Sequence, residues 1–131
     1  MSETYEFLIA CEVFFIATIN KNSPAARPFG GVMEYEGALY FSTAKNKDVY
    51  SQLILNQRIQ IVALKAGTRN WIRVDGIAVE TFDLGIKQKM LDTCPRLIKH
   101  FSSNNCEHFA LFKIDKMESS LCVNGEFIEL T

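Results

Sequence analysis

The sequence has no excess of positive charge, no long hydrophobic run and no closely spaced cysteine pair. Its 14 basic residues are matched by 15 acidic residues, for a net charge of -1 at pH 7. Binding to the phosphate backbone of a nucleic acid needs a basic excess, so the charge argues against such a partner. No apolar run reaches the roughly 18 residues of a membrane span, because the longest stretch, Val13–Ile19, is interrupted by Thr18.

The four cysteines form no CxxC pair, and we interpret them as reduced thiols. Cys94, His100, Cys106 and His108 lie close together, but their spacing matches no common zinc pattern, so we expect no metal site. The first residues, Met1–Thr4, lack the basic region and the cleavage site of a secretory signal. We therefore expect a cytoplasmic protein, with no membrane or nucleic-acid partner.

The length of 131 residues predicts one domain spanning 1–131. Short stretches rich in aromatic and β-branched residues alternate with turns that contain Pro, Gly and Asn, among them turns predicted at Glu36-Gly37 and Asn124-Gly125. They predict strands at 13–20, 25–35, 38–43, 58–65, 71–81, 109–114, 117–123 and 126–130. Helical patterns occupy 3–12, 46–56 and 84–101, the last broken at Pro95.

The predicted strands outnumber the helices, which indicates a mainly β fold with peripheral helices, an antiparallel barrel or sandwich. We expect 13–20 to be buried on both faces, because it contains few polar residues. We also expect the first three strands to form a meander, because their connections are short. Asp75-Gly76 could be a hairpin turn, but its neighbours fit one continuous strand with a bulge.

The densest polar cluster lies where the third predicted strand leads into a helix. It contains Ser42, Thr43, Lys45, Asn46 and Lys47. A helix N-terminus offers free backbone N–H groups and a positive dipole end, and the hydroxyls and ammonium groups add further donors. Together they match a phosphate monoester, which carries about two negative charges. The alternative interpretation is a capped helix with two solvated lysines.

Two further segments have the features of a ligand site. Arg27 lies in the strand before the polar cluster and could point to the same place. After it, Pro28, Phe29 and a pair of glycines leave the backbone bare, which suits either a flat ligand or an edge strand with a bulge. Trp71, at the start of a strand, could be a core aromatic, a wall for a ring ligand or part of a subunit interface.

The stretch FFIATINKNSPAARPFGGVMEYEGALYFSTAKNKDVYSQL (14–53) resembles the pyridoxamine 5′-phosphate oxidase-like FMN-binding split-barrel family. The stretch NWIRVDGIAVET (70–81) resembles the strand that follows in that family. Pro95, Leu97, Phe101 and the stretch FALFKI (109–114) are similar to its small nitroimidazole-reductase-like members. The resemblance covers nearly the whole chain and implies an antiparallel split β-barrel.

The resemblance also implies a homodimer with FMN at the subunit interface. Carried over residue by residue, the implied phosphate contacts are Arg27, Ser42, Thr43, Lys45 and Lys47, with Asn46 at a position that is often basic in relatives. The implied neighbours of the flavin ring are Pro28 and Phe29, with Asn70 and Trp71 from the partner subunit.

The function implied is that of an FMN-dependent oxidoreductase, which passes electrons from a reduced nicotinamide to a small acceptor such as a nitroaromatic or a quinone. The chain shows no C-terminal substrate-binding segment like that of the true oxidases, so we expect a reaction other than pyridoxamine-phosphate oxidation. Three alternatives remain open. One is a reductase that uses the deazaflavin F420, the second is a non-catalytic flavin-binding sensor, carrier or storage protein, and the third is a barrel that kept the fold but lost the cofactor.

Overall fold

Short strands joined by tight turns make up most of the fold. The computed structural model describes residues 1–130, and within them eight strands form one antiparallel sheet. The strands are β1 (Phe14–Asn20), β2 (Ser23–Phe29), β3 (Met33–Tyr35), β4 (Ala38–Ala44), β5 (Arg58–Leu64), β6 (Trp71–Thr81), β7 (Phe109–Val123) and β8 (Glu126–Leu130). The helices are α1 (Glu3–Cys11), α2 (Asp48–Leu55), α3 (Leu84–Thr93) and α4 (Ile98–Phe101), with a 3₁₀ turn at Pro95–Leu97.

Two hairpins are set by residues that tolerate the left-handed region of backbone conformation. Glu36 and Gly37 have φ angles of 49° and 78°, and Asn124 and Gly125 have φ angles of 52° and 83°. Two successive positive φ angles match the right-handed twist of the flanking strands, which is why such turns close two-residue hairpins. The turns predicted at both places are confirmed.

The strand order places a gap in the barrel. The sheet runs β2-β1-β5-β6-β7-β4-β3, with β8 paired to β7 beside this path. The short β3 pairs with β4 only from Ala38 to Tyr40. The remaining part of β4 and the outer side of β2 therefore both have unpaired edges. The antiparallel split-barrel fold that the family resemblance implies is confirmed, and the split lies between β2 and β4.

The pairing corrects several local predictions. The stretch 25–35 is not one strand, because the chain leaves the sheet at Gly30 and Gly31. The predicted meander is wrong. β2 is the strand at one edge of the sheet, whereas β4 lies near the other edge and pairs with β7. The expectation that 13–20 is buried on both faces is also wrong, because Phe15 is exposed on the outer face. The two strands predicted within 109–123 are the single strand β7.

Each face of β7 packs into a different hydrophobic cluster. Ala110, Phe112 and Ile114 point into the barrel interior, where Phe112 stacks on Phe41 with ring centroids 5.5 Å apart. Phe109 and Leu111 face the other side and pack against α3, α4 and the segment between them. The second cluster therefore holds the helical segment 84–101 against the sheet. None of the helices in residues 1–130 is long and apolar enough to cross a bilayer.

The long strand β6 contains the bulge that the sequence predicts. Its pairing with β7 shifts register between Asp75 and Ile77. At Gly76, between them, a Cβ atom would lie 2.5 Å from Cγ2 of Ile114 and 3.2 Å from the Asp115 carbonyl oxygen. Glycine is required here because the neighbouring strand approaches too closely for a side chain.

We expect Gly76→Ala to lower the free energy of unfolding by about 1–3 kcal/mol, as overpacking in a core does. In an Ile114→Ala background the same substitution should cost less, because the colliding methyl group is gone. Urea unfolding of the four proteins in this double-mutant cycle measures the difference. An equal cost in both backgrounds would show that the Ile114 contact does not explain the glycine.

Candidate functional site

A cavity of about 260 Å³ occupies the gap between β2 and β4. Its walls come from the end of β2, the unpaired part of β4, the start of α2 and the segment around α4. The lining residues are Arg27, Pro28, Phe29, Gly30, Gly31, Ser42, Thr43, Ala44, Lys47, Val49, Leu97, His100 and Phe101. Because neither strand edge has a partner here, backbone N–H and C=O groups are available to a ligand along both sides.

Arg27 is fixed at one end of this cavity by neutral hydrogen-bond acceptors. Its Nη1 donates to Thr18 Oγ1 at 2.8 Å and to the carbonyl oxygens of Ile16 and Ala25 at 3.1 and 3.3 Å. Its Nη2 donates to Oε1 of Gln52 at 2.7 Å, and the Thr18 hydroxyl donates to the same oxygen at 2.5 Å. The guanidinium is therefore held in place without a carboxylate partner.

The charge of Arg27 is not neutralised by a close ion pair. Within residues 1–130 the one salt bridge joins Lys113 and Asp115, away from this cavity. Burial lowers the pKa of the Arg27 guanidinium, and the negative charge of Asp48 only partly opposes that shift. A half-buried cation held by neutral groups favours an anion beside it, because the anion would offset the cost of desolvation.

The start of α2 adds further donors. Lys47 is the N-cap residue, and no side chain caps the first turn. The first N–H groups of a helix lack acceptors four residues back. That of Tyr50 donates to the Lys47 carbonyl oxygen at 3.1 Å, so those of Asp48 and Val49 remain available, and Val49 lines the cavity. The alternative interpretation of Ser42 and Thr43 as helix caps is wrong, because both residues lie inside β4.

The two glycines after Phe29 make room for side chains of the helical segment. A Cβ atom at Gly30 would lie 3.2 Å from Nη2 of Arg96, and one at Gly31 would lie 3.3 Å from Sγ of Cys94. Besides leaving the backbone open to a flat ligand, the two glycines therefore have a second role. They allow the 94–100 segment to approach the end of β2 and to close one side of the cavity.

The structure brings six of the ten predicted site residues together around the cavity: Arg27, Pro28, Phe29, Ser42, Thr43 and Lys47. Lys45 and Asn46 are exposed and do not line it. Asn70 and Trp71 lie away from the cavity, Asn70 in the loop before β6 and Trp71 at the start of β6, where it pairs with Cys122. Trp71 is half-buried on the outer face, with its ring 5.5 Å from that of Phe127 and with Arg73 above it at 4.9 Å. It is not a residue of the barrel core.

Several cavity residues were not predicted as site residues. Leu97, His100 and Phe101 come from a segment that follows a helix break, and no local pattern relates that segment to β2. Gln52 is one of the four acceptors that position Arg27, and it lies one turn after Val49 on the buried face of α2. An uncharged polar residue on the apolar face of an amphipathic helix is the signal that could have identified it.

The chain is similar to a NimC/NimA family protein from Clostridium acetobutylicum. The two share 33% identity with a TM-score of 0.90, over 97% of this chain and 88% of that one. A second clostridial protein, related to general stress protein 26 of B. subtilis and described as of the pyridoxinephosphate oxidase family, has 14% identity and a TM-score of 0.76, with 97% and 90% of the chains covered.

A heme binding protein from Mycobacterium smegmatis is also similar, with 14% identity and a TM-score of 0.76, over 95% of this chain and 55% of that one. At 14% identity the likeness concerns the fold. No family model matches the chain, and no curated protein matches it either.

The contact between Gln52 and Arg27 gives a prediction for stability. We expect Gln52→Glu to raise the free energy of unfolding by about 1 kcal/mol, since a hydrogen bond to a charged group contributes more than a neutral one. Both side-chain hydrogen bonds of Gln52 are accepted by Oε1, so the exchange preserves them. Urea unfolding measures the gain. Gln57→Glu is the control, because Gln57 is exposed in the loop after α2. No gain over that control would contradict the account of Arg27.

Proposed function

Because this chain belongs to the NimC/NimA family of pyridoxamine 5′-phosphate oxidase-like split-barrel proteins, we propose that it binds FMN in the cavity between β2 and β4 and acts as an oxidoreductase. The observation that carries the proposal is Arg27, a half-buried guanidinium at the cavity wall that only neutral oxygens hold. The lining residues among 1–130 include no aspartate or glutamate, so no carboxylate faces an anionic group inside the cavity; Asp48, whose charge acts on Arg27, does not line it.

The phosphate of FMN would lie at the end of the cavity formed by Arg27, Lys47 and the first turn of α2. The hydroxyl-bearing residues Ser42 and Thr43 line the same cavity and can donate to phosphate oxygens. A phosphate monoester carries about two negative charges, which suit two cationic side chains and a helix N-terminus. Lys45 and Asn46 would contribute less, because they do not line the cavity.

The ring of the flavin would lie along the two open strand edges, beside Pro28 and Phe29. The backbone groups of unpaired strands can bond to the polar edge of a flavin ring, while apolar side chains cover its faces. FMN, when bound, supplies hydride transfer, here between a reduced nicotinamide and a small acceptor such as a nitroaromatic or a quinone. The protein would hold the cofactor and exclude competing reactions.

A second copy of the chain would complete the site. The cavity lies between two strand edges that have no partner within the chain, so a single chain provides part of the wall. The outer face of the sheet beside it is apolar and exposed at Phe15, Leu64 and Phe127. Pro28 pairs with Phe15 and also lines the cavity, so this outer face continues into the site.

A homodimer formed through this face would bring the partner's copies of Asn70 and Trp71 toward the flavin, as the family resemblance implies. Trp71 pairs with Leu64 and lies on the same outer face. Trp and aromatic residues are common at subunit interfaces, where they contribute large buried areas. The proposal therefore explains why two predicted site residues lie outside the cavity of one chain.

A haem carrier is the second candidate function, favoured by His100. Its imidazole lines the cavity, and histidine is a common axial ligand of haem iron. The similar mycobacterial protein is described as a heme binding protein. Absorbance spectra after adding FMN or haemin distinguish the two ligands. Turnover with reduced nicotinamide and a nitroaromatic or quinone acceptor then separates an enzyme from a flavin carrier.

We expect Lys47→Ala to weaken FMN binding about tenfold and Lys45→Ala to leave it nearly unchanged. Both lysines are exposed and two residues apart, but only Lys47 lines the cavity. A charge-assisted hydrogen bond contributes about 1.5–3 kcal/mol, and each 1.4 kcal/mol is tenfold in affinity. The Arg27→Ala/Lys47→Ala double variant should lose about 100-fold or more. Flavin fluorescence titration measures the affinities, and equal affinities for all four proteins would refute the site.

We expect Phe15→Arg to disrupt the homodimer and, with it, FMN binding. A guanidinium in the middle of an apolar interface would be buried without a partner. Light scattering after gel filtration gives the oligomeric state, and flavin titration gives the affinity. Leu55→Arg, at the exposed end of α2, is the control and should change neither. A Phe15→Arg variant that stays dimeric and binds FMN normally would contradict the proposed interface.

A further inference from the structure

A second cavity of about 230 Å³ adjoins the first at its far end. It is lined by Gly30, Gly31, Cys94, Arg96, Leu97 and His100. Four of these residues, the two glycines, Leu97 and His100, also line the first cavity. The two cavities are therefore lobes of one depression, and the second lobe lies beyond the residues assigned to the FMN phosphate.

Arg96 is anchored at the wall of this second lobe. Its Nη2 donates to the carbonyl oxygen of Gly30 at 3.1 Å, and the absence of a Cβ at Gly30 leaves room for that contact. A guanidinium has five N–H donors, so one such bond fixes its position and leaves donors for a ligand. His100 lies four residues further along the helical segment, on the same side, and lines the same lobe.

The depression has a cationic group at each end. Arg27 and Lys47 line the first lobe, Arg96 lines the second, and neither lobe is lined by an aspartate or glutamate. Arg96 contacts the carbonyl oxygen of Gly30, which is three residues beyond Arg27. At most about 10 Å of extended chain therefore separates the backbone positions of the two ends. FMN carries one phosphate, so it would use one cationic end and leave the other.

We propose that Arg96 and His100 form a subsite that binds the carboxylate of a small, planar electron acceptor. The proposal rests on the proposed binding of FMN in the first lobe, which supplies the neighbouring surface. An Arg guanidinium pairs with a carboxylate through two parallel hydrogen bonds, which orients as well as attracts it. Leu97 lines both lobes, so an apolar ring attached to that carboxylate would meet an apolar surface toward the flavin.

The test uses benzoate and benzamide, which have the same ring and shape but differ in charge, and which are not reduced. Isothermal titration calorimetry of the FMN-loaded protein should give benzoate at least tenfold tighter binding than benzamide. Arg96→Gln should abolish that preference while FMN affinity stays unchanged. Lys99→Gln is the matched control, because Lys99 is an exposed cation in α4 that lines neither lobe. It should keep the preference.

Three results would overturn the proposal: equal binding of benzoate and benzamide, an Arg96→Gln variant that keeps the preference, or an Arg96→Gln variant that loses FMN affinity as Lys47→Ala should. In the last case Arg96 would hold the FMN phosphate. If the protein fails to bind FMN, the same benzoate and benzamide titration is made on the cofactor-free protein, and the two proposals are then tested separately. A preference for benzoate that depends on Arg96 would support the anion subsite, while the failure to bind FMN would refute the proposed function.

A steady-state measurement adds a catalytic readout. The ratio of kcat/KM for 4-nitrobenzoate over 4-nitrobenzamide should fall at least tenfold in Arg96→Gln and stay constant in Lys99→Gln. A ratio that is unchanged in Arg96→Gln would contradict a role for this residue in choosing the acceptor.

Discussion

Within residues 1–130, β3 pairs with β4 only as far as Tyr40, and β2 pairs with β1 alone. The edge of β2 that faces away from β1, and the edge of Phe41–Ala44 that faces away from β7, therefore have no strand partner. Burying an unpaired backbone group costs free energy, so these groups either stay solvated in a cavity or form hydrogen bonds to a ligand or a second chain. The position of the site follows from this interruption of the hydrogen-bond ladder, since every cavity wall adjoins it.

The interruption also explains the polarity of the site. The end of β2 carries Arg27, and α2, which follows β4, presents Gln52 to it. Because α2 packs against the barrel through Val49 and Leu53, its first turn comes to lie beside the open edge of β4. Neutral acceptors position the guanidinium without cancelling its charge. The arrangement thus combines a rigid cation, a helix N-terminus and bare strand edges, which are the features on which the proposed binding of FMN depends.

The helical segment 84–101 converts this edge into a cavity. It is held by the second hydrophobic cluster, where Phe101 stacks on Phe109 with ring centroids 4.5 Å apart. Lys87, buried in α3, also bonds to the Phe109 carbonyl oxygen at 2.9 Å. Burial lowers the pKa of the Lys87 ammonium, and the positive charge of Lys45 adds to that shift. The glycines at the end of β2 permit the close approach, so two residues without side chains determine how near Cys94 and Arg96 lie to the site.

The mainly β fold, the hairpin turns at Glu36-Gly37 and Asn124-Gly125, the bulge in β6 and six of the residues that line the cavity could be predicted from the amino-acid sequence. These are local properties, since periodicity, turn chemistry and a strand leading into a helix are readable within a few residues. The pairing of β4 with β7, where Thr43 lies opposite Ala110, became visible only in the folded chain. The same is true of the hydrogen bond from Arg27 to Gln52 and of the position of His100 in the cavity wall. Such contacts join residues distant along the chain, and no local pattern specifies which strand edges stay open or which helix closes over them.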